Sequence, residues 1–313
     1  MTTYGLQLPD FAWITSDPIN TTAKLRQCAT AAESAGYSSL WVMDHFFQLP
    51  QLGGAKAPMI EAYTLLGLLA GMTERVRLGA LVTGVTYRNP AMLAKQITSL
   101  DILSGGRAIA GIGAAWHDIE HHALGFDFPP LKERFARLEE AVTIMRAMFR
   151  EEAPSFTGEH YRIAEARNVP GPIQPGGPEL MIGGSGEKKT LRIVARLADS
   201  CNVSGDAATV RRLMDLLDSY CADVDRVPST LRRTRLGSMF LCATDEQATG
   251  TKDFLKSIGV DSSTMVIGTH DECVSTVRDL AAAGLDEVIF NIPQMSSAEQ
   301  ISAVGAVLTE ACD

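Results

Sequence analysis

One complete strand–helix–strand unit can be read in the stretch RVRLGALVTGVTYRNPAMLAKQITSLDILSGGRAIAGIG, which runs from Arg75 to Gly113. The segment RVRLGALV has the β-rich composition of a strand. Pro90 lies near the start of a predicted helix through Asp101, and SGG then leads into a second predicted strand, RAIAGIG. Strands joined by a helix in this way are typical of parallel α/β sheets.

The same alternation runs through the rest of the chain. Further strands are predicted at TYGLQLP, SSLWVM, ELMIGG, DSCNVS, RLGSMFLCA and DEVIFNIP, separated by helical patterns. Strand followed by helix, repeated about eight times in 313 residues, predicts a closed parallel (β/α)8 barrel of the TIM type. A doubly wound open sheet is the main alternative.

No internal repeat and no shift in composition marks a second domain. Residues 1–313 are therefore predicted to form a single barrel domain, with a Pro- and Gly-rich excursion at about 151–178. Within this excursion, FTGEHYRI is compatible with a small hairpin.

Composition and charge limit the class of function. The chain is 46% hydrophobic and 21% charged, which is typical of a globular protein with a large core. A formal net charge of -9 opposes nucleic-acid binding, so small-molecule partners are expected. The six cysteines show no CxxC pair, which predicts reduced thiols without disulfides. The start, MTTYGLQLPDF, lacks a secretory signal, and no apolar run is long enough for a membrane span; a cytoplasmic location is expected.

Asp44 and His45 stand where the second predicted strand ends, in the segment WVMDHF. In parallel barrels the reactive residues lie at the C-terminal ends of the strands. Successive side chains of a strand point to opposite sides, so both residues can line the mouth only if the strand ends or bends at about Met43. The alternative is a strand-end salt bridge or a hydrogen-bonded structural histidine.

Three segments together closely resemble the bacterial luciferase-like flavin and deazaflavin oxidoreductases, especially the branch that uses coenzyme F420. They are WVMDHF, LGALVTGVTYRNPAMLAKQITSLDILSGGRAIAGIGAAW and LMIGGSG. The resemblance spans most of the chain and is strongest at 40–125 and 179–198. It implies a luciferase-like barrel with insertion segments, a coenzyme across the barrel mouth, and a homodimer.

The resemblance also implies the reaction, a hydride transfer between the deazaflavin and a small organic substrate such as an alcohol, a ketone or an activated alkene. Three alternatives stay open. One is a flavin mononucleotide (FMN) monooxygenase that works with a partner reductase and molecular oxygen. Another is a noncatalytic flavin-binding protein. The third is a zinc hydrolase that uses His117 and His121.

Glycine-containing segments carry the implied coenzyme site. A glycine at the end of the third strand lets a flat ring approach the backbone, and the resemblance implies a cis peptide at Gly84–Val85. The turn IGGSGEKKT offers backbone N–H groups and a helix N-terminus to a phosphate, and Lys188 and Lys189 could meet an anionic tail. Trp116 could equally be a core aromatic residue. The implied coenzyme residues are Asp44, Thr83, Gly84, Val85, Gly113, Ala114, Ala115, Trp116, Ile182, Gly183, Gly184, Ser185 and Gly186.

His45 is the candidate for proton transfer, because imidazole titrates near neutral pH. Asp44 would then either contact the coenzyme or orient the imidazole. Two positions depart from the sugar-phosphate dehydrogenases of the family, which carry a glutamate where this chain has Ala114 and a tryptophan where it has Leu49. A sugar-phosphate substrate is therefore not expected.

The run His117-Asp118-Ile119-Glu120-His121 spells H-x-x-E-H, a zinc-protease signature. No third ligand can be identified from spacing, so we interpret the match as a coincidence and expect no metal site. The segment is predicted to be a short solvated helix at the barrel mouth, with His122 and His160 also on the surface.

Overall fold

A closed barrel of eight parallel strands is the centre of the molecule in a computed structural model that describes residues 1–313. The strands are β1 (Thr3–Leu8), β2 (Ser39–Val42), β3 (Arg77–Ala80), β4 (Thr83–Gly84), β5 (Ala108–Gly113), β6 (Phe156–Thr157), β7 (Arg162–Ile163), β8 (Glu179–Gly183), β9 (Ser200–Val203), β10 (Arg232–Leu241), β11 (Val266–Gly268) and β12 (Glu287–Asn291). The barrel order is β1-β2-β3-β5-β8-β9-β10-β12, and β12 pairs with β1 to close it. The predicted TIM barrel is thus confirmed, because an open sheet would leave two unpaired edges.

The helices surround the barrel, and some of them begin at a capping side chain. At the start of α4 (Pro90–Leu103), Asn89 accepts a hydrogen bond from the N–H of Ala91, and Pro90 lies in the first turn. None of the helices has both the length and the apolar composition needed to cross a bilayer. They are α1 (Ala12–Thr15), α2 (Thr21–Ser34), α3 (Ala62–Ala70), α4 (Pro90–Leu103), α5 (Asp118–Leu124), α6 (Leu131–Arg150), α7 (Thr190–Leu197), α8 (Ala207–Ala222), α9 (Asp245–Ser257), α10 (His270–Ala281) and α11 (Glu299–Cys312).

Two hydrophobic clusters hold the fold. The larger has 66 buried residues and includes the layer between strands and helices, whereas a cluster of five fills the barrel interior. Trp41 is the largest side chain of that interior, and a Cβ at Gly79 would lie only 2.7 Å from its ring. Gly79 is therefore required for Trp41 to fit. The interior cluster consists of Trp41, Leu81, Ile109, Met181 and Ile289.

The excursion at 151–178 packs on the outside of the barrel. Its β6 and β7 form the antiparallel hairpin that the sequence predicted. The Glu140 carboxylate accepts hydrogen bonds from three successive N–H groups of the hairpin turn, and Asp101 accepts two from the backbone of Ile173 and Gln174.

One strand extends beyond the barrel. The ten-residue β10 pairs with its barrel neighbours through its first part, and Met239–Leu241 then pairs with β11, which the sequence did not predict. This extension forms one wall of a cavity at the barrel mouth.

Candidate active site

Asp44 and His45 follow directly on β2, which ends at Val42, close to the predicted point. The Asp44 carboxylate is buried and accepts hydrogen bonds from Arg88 Nη1 at 2.6 Å and Nη2 at 3.0 Å. Burial raises the pKa of Asp44, and the Arg88 guanidinium opposes that rise. Arg88 also donates to Glu61, at 2.7 Å. Asp44 is thus one half of a buried ion pair, with both oxygens directed at Arg88.

The His45 imidazole is held by a different carboxylate. His45 Nδ1 lies 2.7 Å from Glu120 Oε1. The other oxygen of Glu120 accepts the backbone N–H groups of Phe46 at 2.7 Å and Phe47 at 3.1 Å, and the Tyr87 hydroxyl donates to Oε1. Of the two roles considered for Asp44, orientation of the imidazole therefore falls to Glu120.

Glu120 is an ionised hydrogen-bond acceptor. Its side chain is fully buried, which opposes ionisation, but hydrogen bonds from His45, Tyr87 and the Phe46 N–H outweigh burial and lower the pKa of Glu120 to about 2. Burial and the adjacent carboxylate raise the pKa of Tyr87, which stays a neutral donor. Because the carboxylate can only accept, Nδ1 carries the proton in the neutral imidazole of His45, and that tautomer has its lone pair on Nε2.

The prediction of a solvated H-x-x-E-H helix is wrong. His117, Glu120 and His121 are 6%, 0% and 0% exposed, because their i, i+3 and i+4 spacing places them on the one face of α5 that packs inward. His121 Nδ1 donates to the His117 carbonyl at 2.7 Å, and its Nε2 lies 2.6 Å from Thr86 Oγ1. Burial lowers the pKa of His121.

Both ring nitrogens of His121 are thus engaged within the protein, and no group of three or more His, Cys, Asp or Glu side chains is placed to hold a metal ion. His122 is exposed, as predicted. The surface position predicted for His160 is wrong, since its side chain is 14% exposed and lies against Glu133. The six thiols are unpaired, as predicted from their spacing.

A cavity of about 460 Å³ lies at the mouth between β4, β5 and β8. Glycine backbone forms part of its wall: a Cβ at Gly113 or Gly183 would lie 2.8 Å from a methyl carbon of Val82. All but three of the implied coenzyme residues line this smaller cavity, namely Asp44, Thr83, Gly84, Gly113, Ala114, Ala115, Trp116, Gly183, Gly184 and Ser185.

The three exceptions have simple causes. Val85 is 3% exposed and Ile182 is 0% exposed, because both side chains pack into the core. Gly186 is exposed on the turn beyond the cavity. The cis peptide also differs from the one expected: it joins Leu81 and Val82, directly after β3, whereas Gly84 lies within β4 and pairs with β5.

A second, larger cavity of about 900 Å³ lies beside the first. It extends along the outer part of β10 toward α9 and the start of α11. The two cavities share His45, Leu81, Trp116 and Leu236 in their walls. Trp116 is 60% exposed, and its ring meets that of His45 edge-on with centres 5.5 Å apart, so the interpretation as a core aromatic residue is wrong.

A cationic groove adjoins the smaller cavity through Phe135, which lines both. The Lys189 ammonium lies 5.4 Å from the centre of the Phe135 ring. The basic residues of the groove are Lys132, Lys188, Lys189, Arg192 and Arg196.

Comparison with known proteins agrees with this architecture. A family model described as luciferase-like monooxygenase matches residues 3–258. An F420-dependent glucose-6-phosphate dehydrogenase of Amycolatopsis mediterranei is 28% identical over 300 residues, which cover 86% of this chain and 88% of that protein. The protein of the same name from Kineococcus radiotolerans is 39% identical over 167 residues, 53% of this chain and 48% of that protein.

Solved structures share the fold. An F420-dependent secondary alcohol dehydrogenase in complex with an F420-acetone adduct superposes with a TM-score of 0.84 at 17% identity, over 100% of both chains. The coenzyme F420-dependent tetrahydromethanopterin reductase of Methanopyrus kandleri superposes with a TM-score of 0.78 at 17% identity, over 97% of both chains.

Proposed function

The chain belongs to the luciferase-like monooxygenase family, and from that membership we propose that it is a coenzyme F420-dependent oxidoreductase acting on an organic alcohol, ketone or activated alkene. The names of the relatives support the choice of coenzyme. The observation that carries the proposal is the meeting of two cavities at one histidine, with His45 in both walls. One cavity suits a coenzyme and the other a substrate.

The smaller cavity fits a flat, anionic coenzyme. Gly113 and Gly183 form part of its wall, with the Val82 side chain packed against both, and this small apolar surface leaves room for a planar ring. In the glycine-rich turn, the Gly184 N–H already donates to the Asn202 carbonyl at 2.9 Å. The N–H groups of Ser185 and Gly186 make no hydrogen bond within the protein, so they are free to bind a phosphate.

The protein's own part in the reaction is to position the substrate and move one proton. When bound, the deazaflavin supplies the hydride acceptor or donor. In the oxidation of an alcohol, His45 Nε2 would take the proton from the hydroxyl oxygen as the carbon–hydrogen bond breaks and the carbonyl forms, and the coenzyme, when bound, would supply the hydride acceptor. Glu120 holds the proton on Nδ1 and stabilises the imidazolium that results. Reduction of a ketone returns the same proton from Nε2.

Asp44 completes the coenzyme side of the site. It lines the smaller cavity while its charge is balanced by Arg88. We assign it the role of a fixed polar wall rather than of a second proton carrier, because its oxygens are occupied by the guanidinium.

The test is a pair of fluorescence titrations of the purified protein, with F420 and with FMN. We expect tighter binding of F420, followed by coenzyme reduction in the presence of an alcohol. Tighter binding of FMN with oxygen-dependent turnover would replace the proposal by the monooxygenase alternative. His45→Ala should keep its F420 affinity and lose turnover by about 100- to 10,000-fold, whereas His122→Ala, on the exposed face of α5, is the matched control.

Homodimerisation and a cytoplasmic location belong to the same proposal, the first from the family resemblance and the second from the sequence. Light scattering of the purified chain tests the dimer.

A further inference from the structure

The wall of the larger cavity has no acidic side chain and, apart from His45, no basic one. Thirty residues line it, eighteen of them hydrophobic, and none is Lys, Arg, Asp or Glu. A phosphate or carboxylate placed there would lose its hydration without gaining a countercharge, which is costly. The wall therefore disfavours anionic substrates, including the sugar phosphate in the names of the curated relatives.

Several polar side chains of the wall are already satisfied within the protein. Gln7 Nε2 donates to the Leu81 carbonyl at 3.2 Å, and Gln7 Oε1 accepts from Asn291 Nδ2 at 3.1 Å. The Thr251 hydroxyl donates to the Gln247 carbonyl at 2.9 Å. These groups gain little by binding a substrate with many hydroxyls. Among the four side chains that the two cavities share, His45 alone offers a lone pair, so its Nε2 is the anchor for the reacting oxygen of a substrate.

The size and the rim of the cavity point to a long or polycyclic carbon skeleton. A volume of about 900 Å³ is in the range that encloses drug-sized ligands, far more than a short-chain alcohol fills. At the α9 side, Phe254 and Ile258 line the cavity and are 52% and 51% exposed. An apolar ligand that covers these exposed side chains removes their apolar surface from water, which favours the complex.

We propose that the substrate is an uncharged, mainly apolar alcohol or ketone of such size, with its oxygen at His45 and its skeleton along β10 toward α9. The proposal rests on the F420-dependent function above and adds the class of substrate to it. Each apolar group of the substrate that moves from water to the cavity wall should increase kcat/KM. A charged group at the far end of the substrate should decrease kcat/KM.

The first test is a matched series of secondary alcohols with the F420-loaded protein. From 2-butanol to 2-decanol, kcat/KM should rise about threefold for each added methylene that reaches the wall. The compound 9-hydroxydecanoate has the chain of 2-decanol with a terminal carboxylate, and its kcat/KM should be at least about 30-fold lower than that of 2-decanol. Glucose 6-phosphate should be a still poorer substrate.

A binding measurement separates this proposal from the proposed function. The neutral fluorescent probe N-phenyl-1-naphthylamine should bind the F420-loaded protein and be displaced by 2-decanol but not by 9-hydroxydecanoate. Two results would overturn the proposed substrate class while leaving the F420-dependent function intact. In one, the protein binds F420 but prefers 9-hydroxydecanoate or glucose 6-phosphate as its substrate. In the other, neither 2-decanol nor 9-hydroxydecanoate displaces the probe. Failure to bind F420 overturns the proposed function, and the probe then still tests the cavity in the protein without coenzyme.

A variant at the cavity rim tests whether the preference for uncharged, apolar substrates arises from this cavity. Phe254→Lys should lower kcat/KM for 2-decanol about tenfold and raise it for 9-hydroxydecanoate, without changing F420 affinity. Val227→Lys, at a 62% exposed position outside the cavity, is the control and should leave both values unchanged. The same response in both variants would show that Phe254 does not meet the substrate.

Discussion

Replacing Glu120 by glutamine removes the charge that holds His45 and keeps the size of the side chain. Glu120 Oε2 accepts two backbone N–H groups, from Phe46 and Phe47, so the single oxygen of glutamine is expected to take that position. The amide NH2 then replaces Oε1, 2.7 Å from His45 Nδ1. Because an NH2 group can only donate there, Nδ1 must become the acceptor and the proton moves to Nε2. In that tautomer Nε2 cannot accept a proton from the substrate.

The magnitude follows from the lost charge-assisted hydrogen bond. Such bonds contribute about 1.5–3 kcal/mol, which corresponds to about 10- to 150-fold in kcat if the imidazolium forms in the rate-limiting step. The tautomer change adds to this loss. Coenzyme affinity should stay within about twofold, since Glu120 does not line the smaller cavity.

Two measurements check this prediction. Steady-state kinetics of the F420-loaded protein gives kcat, and nitrogen NMR of histidine-labelled protein reports which ring nitrogen of His45 carries the proton. Glu33→Gln is the matched control, because Glu33 also accepts backbone N–H groups, those of Glu74 and Val76, at the opposite end of the barrel. A folded Glu120→Gln protein with unchanged kcat and an unchanged His45 tautomer would refute the positioning role.

Four further changes test the rest of the site. Arg88→Met leaves the buried Asp44 carboxylate unpaired and should lower the free energy of unfolding by about 3–5 kcal/mol in urea titrations; unchanged stability would contradict the ion pair. Gly184→Asp should weaken F420 binding more than Gly184→Ala, since both share the strain of a φ of +131° but only aspartate opposes a phosphate; equal losses would remove the phosphate assignment. Lys188→Glu should weaken binding of long-tailed F420 more than of short-tailed F420, and an equal effect on both would exclude a tail contact. The pKa of Glu120 is lowered from 4.5 to about 2, so ionised Glu120 contributes about 3 kcal/mol to the stability of the folded protein above pH 4.5. This contribution is lost as the pH falls toward 2. The Glu120→Gln protein should lack this loss in acid unfolding, and identical acid profiles of the two proteins would contradict the prediction.

The barrel was predictable because each of its eight strands is a short β-rich run that is followed by a helical pattern. Alternating β-rich runs and helical patterns identified every barrel strand, and Pro90 indicated the start of α4. The three-residue β11 was missed, because Val266–Gly268 is too short for a periodicity to be read and pairs only with the extension of β10. Long, repeated units are specified locally, whereas a short added strand depends on tertiary pairing.

The site was only partly readable from the sequence. Glycine-containing strand ends located the smaller cavity, and in the structure Gly113 and Gly183 are needed because a Cβ at either would collide with Val82. The partner of His45 lies 75 residues away on α5, and sequence adjacency suggested Asp44 instead. The spacing of His117, Glu120 and His121 did indicate that the three side chains share one helix face, since residues i, i+3 and i+4 lie on the same side of a helix. Beside a barrel mouth, a face rich in His and Glu can be buried as well as solvated, and here it is buried.

The side chains around the two cavities leave one route for a proton. Asp44 is tied to Arg88, and Tyr87 donates to Glu120, so neither faces the substrate as a free acid or base. Glu120 approaches His45 from the Nδ1 side, and Ala114 provides no second carboxylate at the cavity wall. A reaction that needs two separate proton transfers would lack its second group. Interconversion of an alcohol and a ketone needs one proton for each hydride, so the single free nitrogen of His45, placed where the cavities meet, is sufficient for the proposed chemistry.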